Sequence, residues 1–214
     1  MKLYAHPFSS YSQKVLIALY ENDTPFEFRM LAPDDGKAMA ELEALWPFKR
    51  FPVLVDDDRT VAESSIIIEY LHLHYPGPVR LIPDDALEAR FMDRFFDNYI
   101  QTPVQKVVSD SFRNKGDHDS KGVADSRKML DTAYGWLDET MAAREWAAGN
   151  AFTLADCAAA PALFYADWTH PIGEAYANVR AYRRRLLARH SFARAVDEAR
   201  PFRPLFPLGA PDRD

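Results

Sequence analysis

At 214 residues the chain is long enough to form one large domain or two small ones, with a buried core in either case. Apolar residues make up 48% and charged residues 27%, a soluble globular composition, and no apolar run approaches the roughly 18 residues of a membrane span. A net charge of −6 argues against nucleic acid as the main partner, and the single cysteine, Cys157, excludes an internal disulfide and any two-cysteine redox or zinc motif within the chain.

The opening "MKLYAHPFSS" has no apolar central region of the kind a secretory signal carries, so a cytoplasmic location is expected. "KLYA" reads as a short strand, and "SYSQKVLIALYEN" carries apolar residues at helical spacing. In "PFEFRML" Phe26, Phe28 and Met30 alternate with a strand period, and "KAMAELEAL" is rich in strong helix formers. "FPVLVDDDRTVA" predicts two strands around an Asp56–Asp57–Asp58 turn. "ESSIIIEYLHLHYPG" predicts a helix with Ile66, Ile67, Tyr70, Leu71 and His74 on one stripe, ended by Pro76–Gly77. His72 and His74, two apart on that helix, do not share a face, and no metal site is expected.

The proline-rich "PGPVRLIPDD" breaks periodicity and predicts a linker. Beyond it the pattern is helical. Phe91, Phe95 and Tyr99 recur every four residues, Leu130, Ala133, Leu137 and Met141 form a second stripe, and further helices fit 153–168, 175–189 and 191–199. The fold class is therefore α/β plus all-α: an α/β unit over residues 1–77, a linker at 78–86 and an all-helical unit at 87–214. The tail "RPFRPLFPLGAPDRD" holds too many prolines for regular structure. In "FTLADC" Thr153 and Asp156 have the spacing of a reciprocal cap, with Phe152 and Cys157 in the two staple positions, which gives Cys157 a packing role.

Three constellations are candidates for chemistry. Ser9 and Ser10 stand at a strand-to-helix junction, where a serine is either an ordinary cap or a hydroxyl beside N–H groups that favour an anion. In "KRFPVL" Pro52 is either a trans proline opening an edge strand or a cis proline that leaves the backbone of Phe51 free to pair with a bound peptide. In "AESSIII" Glu63 and Ser64 sit where a helix begins, and are either caps or a site for a zwitterion, amine on Glu63 and carboxylate on Ser64.

Taken together, "SSYSQKV", "WPFKRFPVL", "AESSIIIEYL" and "FTLADCAAAPALF" stand in the order and at the distances found in cytosolic glutathione S-transferases. The whole chain resembles a bacterial-like, serine-type member of that family. The resemblance implies a thioredoxin-like first domain, a helical second domain and a homodimer, with glutathione as co-substrate and neither metal, nucleic acid nor membrane involved. It implies that Ser9 stabilises the glutathione thiolate, with Ser10, Phe51, Pro52, Glu63 and Ser64 binding glutathione and Lys37 a looser match to a lysine on the glycine carboxylate. An electrophile pocket is expected between the domains, with Tyr99, Tyr165 and Trp168 as candidate walls and Phe206 joining from the tail.

Departures from the family pattern bear on activity. No cysteine stands at position 9, which argues against thiol exchange through the protein. Tyr11 and Lys14 replace the cysteine and arginine of the maleylacetoacetate-isomerising members, and Lys49–Arg50 stand where Gly-Lys is commoner. The expected activity is conjugation of glutathione to small hydrophobic electrophiles. The alternatives are a glutathione-dependent isomerase resembling maleylacetoacetate isomerase and a non-catalytic, transferase-like regulator. The feature that suits the last is "RAYRRRLLARHSFARAVDEARPFR", which concentrates Arg180, Arg183, Arg184, Arg185 and Arg189.

Overall fold

The computed structural model describes residues 1–32 and 34–214. Strands β1 (Lys2–Ala5), β2 (Glu27–Met30), β3 (Val53–Asp56) and β4 (Arg59–Ala62) form one sheet in the order β2-β1-β3-β4. β1 is parallel to β2, so a crossover must join them, and helix α1 (Ser10–Glu21) supplies it. The β1–β3 and β3–β4 pairs are antiparallel. Helix α2 (Gly36–Leu45) leads from β2 to β3, and α3 (Ser64–His74) follows β4. This is the thioredoxin-like arrangement that the family resemblance implies.

The remainder is helical: α4 (Leu87–Phe95), a π-helical turn (Phe96–Gln101), α5 (Thr102–Asp110), α6 (Ser120–Met141), α7 (Leu154–Thr169), α8 (Ala177–Leu187) and α9 (His190–Ala199). The tail departs from expectation in one respect. Arg200–Leu205 form a 3₁₀ segment, short enough to accept Pro201 near its start and Pro204 within it.

α1 is the joint of the molecule. Every residue from Ser12 to Tyr20 is buried, so the helix is covered on all sides, by α3 and the sheet on one and by α7 and α9 on the other. Val15, Leu16, Ile17 and Leu19 are fully buried, each worth roughly 1.5–3 kcal/mol by transfer. The segment before α4 is pinned to both neighbours. Val79 exchanges two hydrogen bonds with the Asn22 side chain, and the Leu154 N–H donates to the Leu81 carbonyl at 2.9 Å. Gly77 passes so close to Asn22 that a Cβ there would lie 2.5 Å from its side chain.

Two apolar stripes differ from the sequence reading. On α3 the buried face is Ser64, Ile67, Ile68 and Leu71, while Ile66 and His74 are exposed. Three consecutive isoleucines fit either face, and packing selects the one towards α1. Phe91 and Tyr99 are also exposed, flanking buried Phe95 at the edge of Trp136, because α4 buries Ala89, Met92 and Phe95 and the π turn then changes the period. The Leu130–Met141 stripe is buried as expected, and the Thr153–Asp156 reciprocal cap is formed. Burial pushes the Cys157 thiol well up, in keeping with a packing role.

Candidate active site

Ser9 is the N-cap of α1. Its Oγ accepts the Ser12 N–H at 3.3 Å, which leaves the hydroxyl proton free to donate elsewhere. The Ser10 and Tyr11 N–H groups belong to the first turn and have no acceptor within the helix. The loop before the cap is held from both parts of the chain. The Phe8 N–H donates to His6 Nδ1 at 3.1 Å, and Tyr165 on α7 donates its hydroxyl to the Phe8 carbonyl at 3.1 Å. Gln13 donates both to the Pro7 carbonyl and to the Tyr165 hydroxyl.

Ser9 faces a cavity of about 450 Å³ that also takes in Phe51, Pro52, Glu63 and Ser64. The Phe51–Pro52 peptide is cis, and the strand ladder begins at Val53, so the main chain of Phe51 lies outside it. Glu63 has φ 71°, in the left-handed region that non-glycine residues rarely occupy, and its carboxylate makes no cap bond to α3. The Glu63 side chain therefore does not serve as a local cap, and its strained backbone stands beside the cavity. Lys49 also has a positive φ, 54°, in the region that favours glycine.

The far wall is built from the helical part of the chain that follows the linker and was not legible in the sequence. Arg94 and Asp97, with Asn98 and Gln105, line the same cavity from α4, the π turn and α5. Behind them Lys14 of α1, 1% exposed, ion-pairs with Asp93 at 2.6 Å and Asp97 at 2.9 Å. Ser65 accepts from Lys14 and donates to Asp93, and Arg94 contacts both carboxylates. Burial raises the Asp97 pKa, with Lys14 opposing. Tyr11, also facing the cavity, is pushed up to about 12, first by burial and then by the Asp97 charge, and stays a neutral donor. The sequence carries the i,i+4 spacing of Asp93 and Asp97, but nothing in it sets a buried Lys14 against them.

Beside the polar cavity, and sharing Ser9 with it, lies a cleft of about 240 Å³ with mainly apolar walls. Ser10, Tyr165 and Phe206 line it, together with Val104, Val108 and Phe112, which the sequence reading did not name. Trp168 lines neither recess. It packs behind the cleft against Phe164 and Phe206, with its Nε1 buried and unpartnered among the described residues. Tyr99 sits on the outer surface against Phe95, and Lys37, exposed on α2, lines neither recess. The basic side chains at the cavity from the first part of the chain are Lys49 and Arg50.

Comparison with known proteins accords with this geometry. Residues 3–79 match the family model of the glutathione S-transferase N-terminal domain, and residues 120–185 match that of the C-terminal domain. A probable glutathione S-transferase of Nicotiana tabacum is 30% identical over 179 residues, 84% of this chain and 75% of the relative. The chain belongs to the glutathione S-transferase family. A solved glutathione S-transferase of Methylobacterium radiotolerans, in complex with glutathione sulfonate, superposes with a TM-score of 0.79 at 29% identity, covering 91% of this chain and 93% of that one. A probable maleylacetoacetate isomerase of Vibrio cholerae is 30% identical over 211 residues, 93% of this chain and 96% of the relative. Among the described residues of this glutathione S-transferase no helix is long and apolar enough to cross a membrane.

Proposed function

We propose that the protein is a glutathione transferase in which Ser9 holds the glutathione sulfur as a thiolate for attack on a small hydrophobic electrophile. The observation that carries this reading is the gathering of Ser9, the cis Phe51–Pro52 peptide, Glu63 and Ser64 around one cavity that meets an apolar cleft at Ser9. The γ-glutamyl amine is assigned to Glu63 and its carboxylate to the Ser64 hydroxyl and the first N–H groups of α3. The cysteinyl main chain pairs with Phe51. Lys49 and Arg50, rather than Lys37, take the glycine carboxylate. Ser10 faces the electrophile side.

The thiol loses its proton to solvent, and the Ser9 hydroxyl donates a hydrogen bond to the resulting sulfur anion. A thiol near pKa 8.5 is mostly protonated at pH 7, and lowering it by about two units takes roughly 2.7 kcal/mol. One hydrogen bond to a charged group, about 1.5–3 kcal/mol, together with the first-turn N–H groups of α1, supplies that. The thiolate lone pair then forms a C–S bond while the leaving group departs with its electron pair.

The test is conjugation of an activated aryl halide, with glutathione binding followed by calorimetry. Thioether formation that requires both components supports the reading; no binding at millimolar glutathione overturns it. The Vibrio cholerae relative favours a second reading, glutathione-dependent isomerisation, in which the thiolate adds to a conjugated double bond and leaves after rotation. Lys14 keeps a cation where that activity has an arginine, but it is taken up by Asp93 and Asp97. Consumption of glutathione separates the two. A cytoplasmic homodimer belongs to the same proposal and rests on family membership.

A further inference from the structure

The arginine-rich run of the sequence has no part in either recess described so far. Arg180, Arg183 and Arg184 of α8 and Arg213 of the tail line a separate cavity of about 320 Å³, together with Asp167, Pro171 and Ile172. That places four guanidinium groups against one carboxylate, and the carboxylate is already engaged. Asp167 Oδ1 accepts the Ile172 N–H at 2.9 Å, and Oδ2 accepts from Arg213.

Arg183 is 8% exposed and stands over the Phe164 ring at 5.6 Å. Its Nη1 reaches the main-chain oxygen of Asp214 at a long 3.4 Å. Nη2 lies 3.4 Å from Asp167 Oδ2, outside hydrogen-bond geometry, so Nε and Nη2 are both buried without a hydrogen-bond partner among the described residues. Arg180 and Arg184 make no ion pair among the described residues, whereas Arg185 and Arg189 on the same run are engaged with the Glu145 carbonyl and Glu21. Burial and the neighbouring Arg213 pull the Arg183 pKa down, with Asp167 opposing. A buried guanidinium short of acceptors is costly, and an anion in the cavity offsets its charge electrostatically, while Arg180 and Arg184 have free forks to bind it.

We propose that this cavity is an anion-binding site for the phosphate group of a small molecule. Guanidinium forks match tetrahedral oxyanions in pairs of N–H···O bonds, and three under-partnered forks around one recess suit a multiply charged group. The recess is sized for a small molecule, and a chain of net charge −6 does not favour a long polyanion.

Inorganic pyrophosphate is titrated into the full chain by calorimetry, in phosphate-free buffer at low salt. The expected result is saturable 1:1 binding, weakened about tenfold or more in an Arg180→Gln/Arg184→Gln double variant. Those two side chains are not fully buried, so the variant keeps its fold, which its melting temperature checks. Glutathione titrated into the same variant binds as it does to wild type, which separates this site from the proposed transferase site. Absence of pyrophosphate binding at millimolar concentration, equal binding by the double variant, or equally tight binding of a tricarboxylate overturns the proposal.

Discussion

The polar cavity is walled by charged and hydroxyl groups fixed at the ends of secondary-structure elements, whereas the cleft beside it is walled by side chains from helix faces and the tail. Ser9, Glu63 and Ser64 are each held by a cap or a first helical turn, and Phe51 by the start of a strand. Val104 and Val108 project from α5, Phe112 lies exposed in the turn after it, and Phe206 is held by packing in the tail. A recess of the first kind is specific for charge placement and tolerates little change. One of the second kind sets size and apolarity, and accepts substitution with smaller losses.

The largest effect is expected at the far wall of the polar cavity. Lys14→Met removes the cation between two buried carboxylates, and unfolding free energy should fall by about 3–5 kcal/mol in denaturant titration. An unchanged midpoint would show that Arg94 alone balances Asp93 and Asp97. Next is Ser9→Ala, which should lower kcat/KM for conjugation about 100-fold, the rate equivalent of roughly 2.7 kcal/mol, with glutathione affinity changed by less than about threefold. A parallel loss of affinity would instead make Ser9 a binding group.

Phe112→Ala probes the apolar cleft. Because Phe112 is 73% exposed, stability should hold, while KM for an apolar electrophile rises about three- to tenfold and KM for glutathione stays put. If both KM values move together, the two recesses are not separate subsites. The smallest effect concerns the loop they share. Burial lowers the His6 pKa, and its Nδ1 is occupied as acceptor for the Phe8 N–H. The unfolded chain takes up that proton near pH 6.5. Stability is therefore complete above about that pH and declines as pH falls toward the depressed folded value. Comparing denaturant midpoints at pH 7.5 and 5.5 should show this decline in wild type and a smaller one in His6→Gln.

The same contrast separates what was legible in the sequence from what was not. Residues whose place follows from local chain direction, a serine opening a helix or a proline opening a strand, were readable because the reason for each lies within a few neighbours. Arg94 and Asp97 were not, because they reach the cavity through a π turn that changes the helical period, and through a buried Lys14 paired across 83 residues of sequence. Tyr99 shows the same limit from the other side: it stands four residues from Phe95 and was expected on the pocket wall, and the turn carries it to the outer surface. Lys37, a looser match to the family's lysine, stands outside the cavity, whereas Lys49 and Arg50, which depart from a commoner Gly-Lys pair, line it.

The proposed chemistry turns on the Ser9 hydroxyl stabilising a thiolate. The most direct measurement is thiolate absorbance of bound glutathione against pH, in wild type and Ser9→Ala. In wild type the bound thiol pKa should lie about two units below that of a free thiol, moving back toward 8.5 in the variant while glutathione remains bound. The same pKa in both proteins would contradict it.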